Sequence, residues 1–146
     1  IYSLLVKKLT VMQCELCNAH GGLLLWQDDF CRVVLVNDKD YPGFCRVILN
    51  RHVGEMTELE ASERARLMNV VFATERVLRD SLSPDKINLA SLGNVVPHLH
   101  WHVIPRWRDD RHFPDPIWAQ PKREGASRVA PQPEALASQL RSLIPT

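Results

Sequence analysis

Short apolar segments separated by turn residues predict five β-strands in this chain. Residues 33–36 are an unbroken run of Val, Val, Leu and Val, which is typical of an internal strand buried on both faces. Pro42 and Gly43 then indicate a loop before the next strand. The predicted strands span residues 23–26, 30–37, 44–49, 87–92 and 99–104.

A spacing of three and four between apolar side chains predicts one long helix between the third and fourth strands. The apolar stripe consists of Leu67, Met68, Val71, Phe72, Leu78 and Leu82. Thr57 and Glu60 fit a capping box with Thr57 as the N-cap, and Ser83-Pro84 predicts the end of the helix. A shorter helix is predicted over residues 134–143. This order predicts an α+β fold: an antiparallel sheet of about five strands, one long helix and a short C-terminal helix.

The last predicted strand carries three of the six histidines, at every second position. Side chains alternate between the two faces of a strand, so His98, His100 and His102 share one face and the apolar residues between them share the other. Three ordinary surface residues are a poor explanation for this strict alternation. Imidazole can serve as base, acid, nucleophile or metal ligand near neutral pH. The strand is therefore the predicted chemical centre, a metal site, or both.

Composition narrows the class of protein further. A chain of 146 residues is expected to form one domain with a proper core. A net charge of +1 gives no general attraction for nucleic acid, and no apolar run approaches the roughly 20 residues of a membrane span. The N-terminal residues lack the features of a signal peptide. The four cysteines are therefore expected to be reduced thiols in a cytoplasmic protein.

The chain divides into three predicted parts. Residues 1–13 form an N-terminal arm, residues 14–106 form the domain, and residues 107–146 form a proline-rich tail that packs on the domain. Met12 is a candidate natural start, in which case the residues before it are upstream sequence.

The histidine row favours nucleophilic catalysis. A nucleophilic imidazole must be neutral, with one ring nitrogen held by a hydrogen bond and the other free to attack. His100 has a histidine on each side, about 7 Å away along the strand, so geometry favours His100 as the nucleophile. His98 and His102 are then its supports, and either could donate a proton to a leaving group.

Residues 97–104, Pro-His-Leu-His-Trp-His-Val-Ile, resemble the signature of the histidine triad (HIT) family of nucleotide hydrolases and transferases. Residues 34–37, followed by Pro42-Gly43, resemble the nucleotide-binding strand and loop of its diadenosine-polyphosphate-hydrolase branch. Residues 50–53 resemble the segment after the third strand, where many members carry a histidine. The resemblance runs from about residue 14 to residue 106, and the tail matches only loosely.

The resemblance implies cleavage at the α-phosphate of a nucleotide conjugate, such as a dinucleoside polyphosphate or a nucleoside phosphoramidate, through a nucleotidyl-histidine intermediate. His100 would attack the phosphorus, and His102 would contact the phosphate and the bridging or leaving oxygen. His98 would hold the network together with His52. No metal would be required for catalysis. The resemblance also implies a homodimer.

Three asparagines are implied nucleotide ligands. Asn37 would bind the ribose hydroxyls, although a simple turn residue is the alternative. Asn94 lies where relatives carry a polar phosphate ligand, although Gly-Asn is also ordinary turn chemistry, and Asn88 would face the phosphates. A hydroxyl that relatives often carry just before His98 is absent, so one phosphate contact is missing or is supplied by Asn94.

Cys14 and Cys17 have the spacing of a structural zinc site, which needs four ligands. Some HIT proteins complete the set with the residues corresponding to His52 and His98. His20 is a rival ligand that is close in sequence. Two free thiols without metal are the simpler reading.

Two other functions stay open. A non-catalytic nucleotide- or zinc-binding interaction module would use the same residues, but binding alone does not need three imidazoles on one face. An end-processing enzyme of the aprataxin type would need a basic patch for nucleic acid. The arginines of the tail are interspersed with acidic residues, so the tail forms no basic patch and no nucleic-acid partner is expected.

Overall fold

The computed structural model describes residues 13–145. The predicted N-terminal arm and Met12 lie outside the described residues, apart from Gln13. The elements in chain order are α1 (Glu15–Asn18), β1 (Leu23–Gln27), β2 (Cys31–Leu35), β3 (Cys45–Leu49), a 3-10 turn (Met56–Glu58), α2 (Ala61–Leu82), β4 (Lys86–Ala90), β5 (His100–Arg106) and α3 (Pro133–Leu143).

The strands form one antiparallel sheet in the order β1-β2-β3-β5-β4. The predicted α+β class is confirmed, as are the long helix and the short C-terminal helix. β2 is internal, as its unbroken apolar run predicted, and four of its five residues are buried. None of the helices in residues 13–145 is long and apolar enough to cross a membrane.

The two faces of the sheet have different roles. One face packs against α2 and α3 and forms the main core, in which Val47, Leu99 and Val103 are buried. The opposite face carries a smaller cluster that includes Val34 and Ile48. In the register of β3 and β5, Arg46 lies opposite His102 and Ile48 opposite His100. Both histidines therefore lie on the face away from α2.

The predicted start of the long helix is wrong. α2 begins at Ala61 with Glu60 as its N-cap, and the backbone N–H of Glu60 donates to Glu63 Oε1 at 3.0 Å. Thr57 instead lies inside the 3-10 turn, which ends at Leu59 in extended conformation. The pair Glu55 and Glu58 caps the 3-10 turn, and the pair Glu60 and Glu63 caps α2. The predicted pair of Thr57 and Glu60 takes one residue from each of these two segments. The predicted end is confirmed, because α2 stops at Leu82 and Ser83 adopts a left-handed φ of 48°.

A buried ion pair fixes the segment that follows β5. The Arg106 guanidinium donates to both Asp110 carboxylate oxygens, at 2.8 and 3.1 Å, and both side chains are 2% exposed. Asp110 also accepts hydrogen bonds from the Tyr41 hydroxyl and from backbone amides, including that of Phe113. Because all these partners are supplied internally, residues 107–132 can follow a fixed path without regular secondary structure.

Candidate active site and metal cluster

His100 and His102 line one cavity on the open face of the sheet. The cavity has a volume of about 450 Å³. Both imidazoles are largely buried, with 9% and 6% of their surface exposed. The other lining residues that bear on the chemistry are Arg46, Asn94, Val96 and Trp118.

One ring nitrogen of His100 is held by the backbone. His100 Nδ1 lies 2.5 Å from the carbonyl oxygen of His98. A carbonyl can only accept, so Nδ1 carries the hydrogen and Nε2 keeps its lone pair. Burial lowers the pKa of His100, and the nearby Arg46 charge lowers it further, against the opposing effect of this hydrogen bond. His100 is therefore a neutral, oriented imidazole at pH 7.

His102 is enclosed by rings. It packs edge-on against His100 and Trp118, each with a centroid distance of 5.0 Å, and lies 5.5 Å from the Phe44 ring. Burial, and then the His100 and Arg46 charges, lower the pKa of His102 to about 4. Its Nδ1 is buried and has no hydrogen-bond partner among the described residues. A polar atom in this state is suited to a ligand that enters the cavity.

His98 departs from the predicted row. β5 begins at His100, so His98 precedes the strand and its side chain does not line the cavity. The ring is fully buried, and Nε2–H donates to the Leu49 carbonyl oxygen at 2.6 Å. Nδ1 points to two sulfurs, at 3.4 Å from Cys14 Sγ and 3.4 Å from Cys17 Sγ.

Four side chains form a candidate metal cluster beside His98. The ligand atoms of Cys14, Cys17, His52 and His98 all lie within 4.8 Å of one another. His52 Nδ1 is 3.3 Å from Cys17 Sγ. Tetrahedral zinc with ordinary bond lengths separates its ligands by roughly 3.3–3.8 Å, so the Cys₂His₂ donor set fits zinc. His20 is not in the cluster.

Arg32 supports the cluster from the neighbouring strand β2. Its guanidinium donates to the carbonyl oxygens of Leu16, Ala19 and His20, at 2.6, 3.1 and 2.9 Å. These are the residues of the turn that carries Cys17. Burial, followed by the proximity of Cys14, raises the pKa of Cys17 to about 11. The Cys17 thiol is therefore neutral unless a cation binds beside it.

The asparagines are placed differently. Asn94 lines the cavity of His100 and His102. Asn37 lines a separate cavity of about 600 Å³, together with Val36 and Arg128. Asn88 accepts a hydrogen bond from Arg106 Nη1 at 2.7 Å and does not line the histidine cavity.

Two cavity residues were missed as site residues. Arg46 is the charged residue of an otherwise apolar strand, and that anomaly in residues 44–49 is a signal that could have identified it. Trp118 lies in the proline-rich tail, to which the sequence assigned no site residue. The structure places it against His102. No local pattern could have shown this, because 11 residues of irregular chain, 107–117, separate the end of β5 from Trp118.

Comparison with known proteins defines the class. The family described as HIT domain matches residues 22–109, which is more than half of the chain. The protein belongs to the HIT family.

Curated relatives include enzymes of nucleotide chemistry. A Mycobacterium tuberculosis protein named AP-4-A phosphorylase is 33% identical over 62% of this chain and 46% of its own length. A Schizosaccharomyces pombe asymmetrical bis(5'-nucleosyl)-tetraphosphatase is 31% identical over 58% of this chain and 50% of its own length. The chain thus spans about half the length of these two relatives. The Arabidopsis thaliana adenylylsulfatase HINT3 is 27% identical over 90% of this chain and 67% of its own length.

The similarity to solved structures covers most of the chain, including residues outside the segment that the family model matches. A histidine triad protein from Bradyrhizobium japonicum is 28% identical, with a TM-score of 0.69 over 86% of this chain and 92% of its own. A histidine triad protein from Marinobacter aquaeolei is 28% identical, with a TM-score of 0.67 over 86% and 90% of the two chains.

Proposed function

We propose that this protein cleaves nucleotide conjugates at the α-phosphate through a nucleotidyl-histidine intermediate. The observation that carries the proposal is the hydrogen bond from His100 Nδ1 to the His98 carbonyl oxygen. It leaves His100 Nε2 as a neutral nucleophile in a cavity that also holds His102. The three curated relatives support the substrate class, since their names all denote nucleotide chemistry.

The reaction has two balanced steps. His100 Nε2 attacks the α-phosphorus, a P–N bond forms, and the bond to the leaving group breaks with its electron pair on the leaving atom. Water or another acceptor then attacks the phosphorus, the P–N bond breaks, and the acceptor's proton is released. The second step returns His100 to its neutral state.

His102 contacts the phosphate in this proposal. Its ring packs against His100, and its Nδ1 has no partner among the described residues, so an Nδ1–H could donate to a phosphate oxygen on which charge develops. The pKa of about 4 keeps the ring neutral at pH 7, so the ring stabilises that charge by hydrogen bonding. Asn94 is the proposed neutral phosphate ligand in the same cavity, whereas Asn37, in its separate cavity, is the proposed ribose ligand.

His98 is a positioning residue with a second role in the metal cluster. Its carbonyl oxygen holds His100, and its Nδ1 faces the sulfurs of Cys14 and Cys17. A zinc ion bound by Cys14, Cys17, His52 and His98 would fix the N-terminal turn to the start of β5. The chemistry it supplies there is structural, because the cluster lies outside the cavity of His100 and His102.

We further propose a cytoplasmic homodimer. The outer edge of β4 has no partner strand within residues 13–145, and an open edge is suited to pairing with a second copy. Sedimentation of the purified protein tests this, and a monomer at micromolar concentration would contradict it.

The experiment that tests the function is a substrate screen by mononucleotide release. The panel is a dinucleoside polyphosphate, a nucleoside phosphoramidate, an aminoacyl adenylate and a nucleotide sugar, each offered to wild type and to a His100→Ala variant. Release that depends on His100 from at least one class is the expected result. No release from any class, or equal release by the variant, would overturn the proposal.

A further inference from the structure

Arg46 places a positive charge in the histidine cavity. It is the charged residue of β3, lies opposite His102 in the strand register, and lines the same cavity as His100 and His102. Its charge contributes to the lowered pKa values of both histidines. The guanidinium is therefore part of the electrostatic environment in which the proposed reaction occurs.

The Arg46 guanidinium forms no ion pair with a carboxylate of residues 13–145. Nη1 donates to the Gly21 carbonyl oxygen at 3.2 Å, and Nε is buried with no hydrogen-bond partner in the part of the chain that the structure describes. Glu15, at the same cavity, attracts the guanidinium electrostatically but forms no ion pair with it. Arginine stays protonated, so the half-buried guanidinium keeps a charge that an incoming anion would neutralise.

A purely structural role explains Arg46 poorly. The guanidinium carbon lies 5.6 Å from the Phe44 ring centroid, but such a contact is too weak to offset the burial of a charge. Arg32, on the neighbouring strand β2, is a structural arginine for comparison. Its donors are used on three backbone carbonyls and on Asn50.

We propose that Arg46 binds the anionic leaving group of the substrate, and that the cavity thereby favours polyphosphate conjugates over phosphoramidates. This inference rests on the proposed function. Ile48, not Arg46, lies opposite His100, so the guanidinium is displaced from the nucleophile toward His102. A leaving polyphosphate gains negative charge as its bond to the α-phosphorus breaks. The nitrogen of a phosphoramidate instead takes up a proton from solvent as its bond breaks and leaves as an uncharged amine. A cation positioned beside His102 favours the first reaction selectively.

The direct test is binding of inorganic tripolyphosphate, measured by calorimetry on intact, folded protein. Arg46→Met removes the charge while keeping an apolar side chain of similar length. Arg46→Lys keeps the charge but loses the paired N–H donors of the planar guanidinium. Arg76→Met is the matched control, because Arg76 is a 60%-exposed arginine on α2. We expect ten-fold or greater loss of affinity in Arg46→Met, partial recovery in Arg46→Lys and no change in Arg76→Met. Equal affinity in wild type and Arg46→Met, or no binding by wild type, would overturn the proposal.

Kinetics test the selectivity. For wild type and Arg46→Met, kcat/KM is compared on diadenosine tetraphosphate and on adenosine 5'-phosphoramidate. We expect the variant to lose ten-fold or more on the tetraphosphate and less than three-fold on the phosphoramidate. Equal loss on both would contradict selection by the leaving group. If wild type cleaves neither substrate, the proposed function is contradicted. The tripolyphosphate titration still tests anion binding by Arg46 in that case.

Discussion

His98 holds His100 through its backbone while its own side chain lies in the metal cluster. The His100 Nδ1–H donates to the His98 carbonyl oxygen at 2.5 Å, and His98 Nδ1 lies 3.4 Å from each cysteine sulfur. One residue thus joins the cluster to the proposed nucleophile. Disturbing the cluster is therefore expected to change how His100 is positioned.

Replacement of His100 should abolish turnover without unfolding the protein. His100→Ala removes the nucleophile but leaves the core face of β5 unchanged, so we expect a loss of roughly 10³-fold or more in kcat. The control is His20→Ala, which removes an exposed histidine outside the cavity. His100→Gly is expected to bind nucleotide and stay inactive. Wild-type turnover in His100→Ala would exclude His100 as the nucleophile.

The cysteine pair should hold about one zinc per chain. Cys17→Ser removes one ligand of the cluster, so zinc content should fall well below stoichiometric and turnover should fall about ten-fold. Cys45→Ala is the matched control, since Cys45 is a buried thiol outside the cluster. Metal analysis of protein purified without chelator gives the content. Less than a few tenths of an equivalent in wild type would contradict the zinc site.

Stability should fall as the pH decreases between about 6.5 and about 4, in part because of His102. Its folded-state pKa lies below the ordinary value of 6.5, so within this window the unfolded chain binds a proton that the folded protein does not. One pKa unit corresponds to about 1.4 kcal/mol, which limits the His102 contribution to about 3 kcal/mol. Urea unfolding across the window should show a shallower decline in His102→Asn. Parallel curves for the two proteins would contradict this assignment.

The Arg106–Asp110 pair should be necessary for stability. Burial alone would raise the pKa of Asp110, but hydrogen bonds from Arg106 and the backbone lower it to about 2. Asp110→Asn leaves a buried guanidinium without its counter-charge, so we expect a loss of about 3–5 kcal/mol in the free energy of unfolding. Asp109→Asn is the neighbouring control. Its carboxylate is 59% exposed, and its ion pair with Arg128 should contribute less than about 1 kcal/mol. Equal losses in the two variants would show that the buried pair has no special role.

Periodicity predicted the fold because burial depends on it directly. The apolar run in β2 predicted a strand buried on both faces, which is confirmed. In α2 the predicted stripe is right for Leu67, Val71 and Leu78, but it wrongly includes Phe72, which is 52% exposed. The alternation in β5 led to His100 and His102 in one cavity. Alternation did not predict the position of His98. The chain bends before β5, so the His98 side chain faces the two cysteines and not the cavity. The start of α2 was missed because Thr57 and Glu60 resemble a capping box, whereas the real cap of α2 is the pair Glu60 and Glu63.

The rest of the candidate site depends on contacts between distant parts of the chain. Trp118 reaches His102 only because the Arg106–Asp110 pair shapes the irregular segment between them. Arg46 stands out in its strand, but only the register with His102 relates it to the cavity. The family resemblance supplied His52 as a ligand, which spacing alone could not choose over His20.

The most direct test of the account is chemical trapping on His100. Wild-type protein is mixed briefly with diadenosine tetraphosphate labelled at the α-phosphorus, quenched in base, and digested for peptide mapping. The account predicts a label on the peptide that contains His100, stable in base and lost in acid as a phosphoramidate should be, and absent from His100→Ala. Active wild-type protein that never carries the label, or a label that persists in His100→Ala, would contradict it.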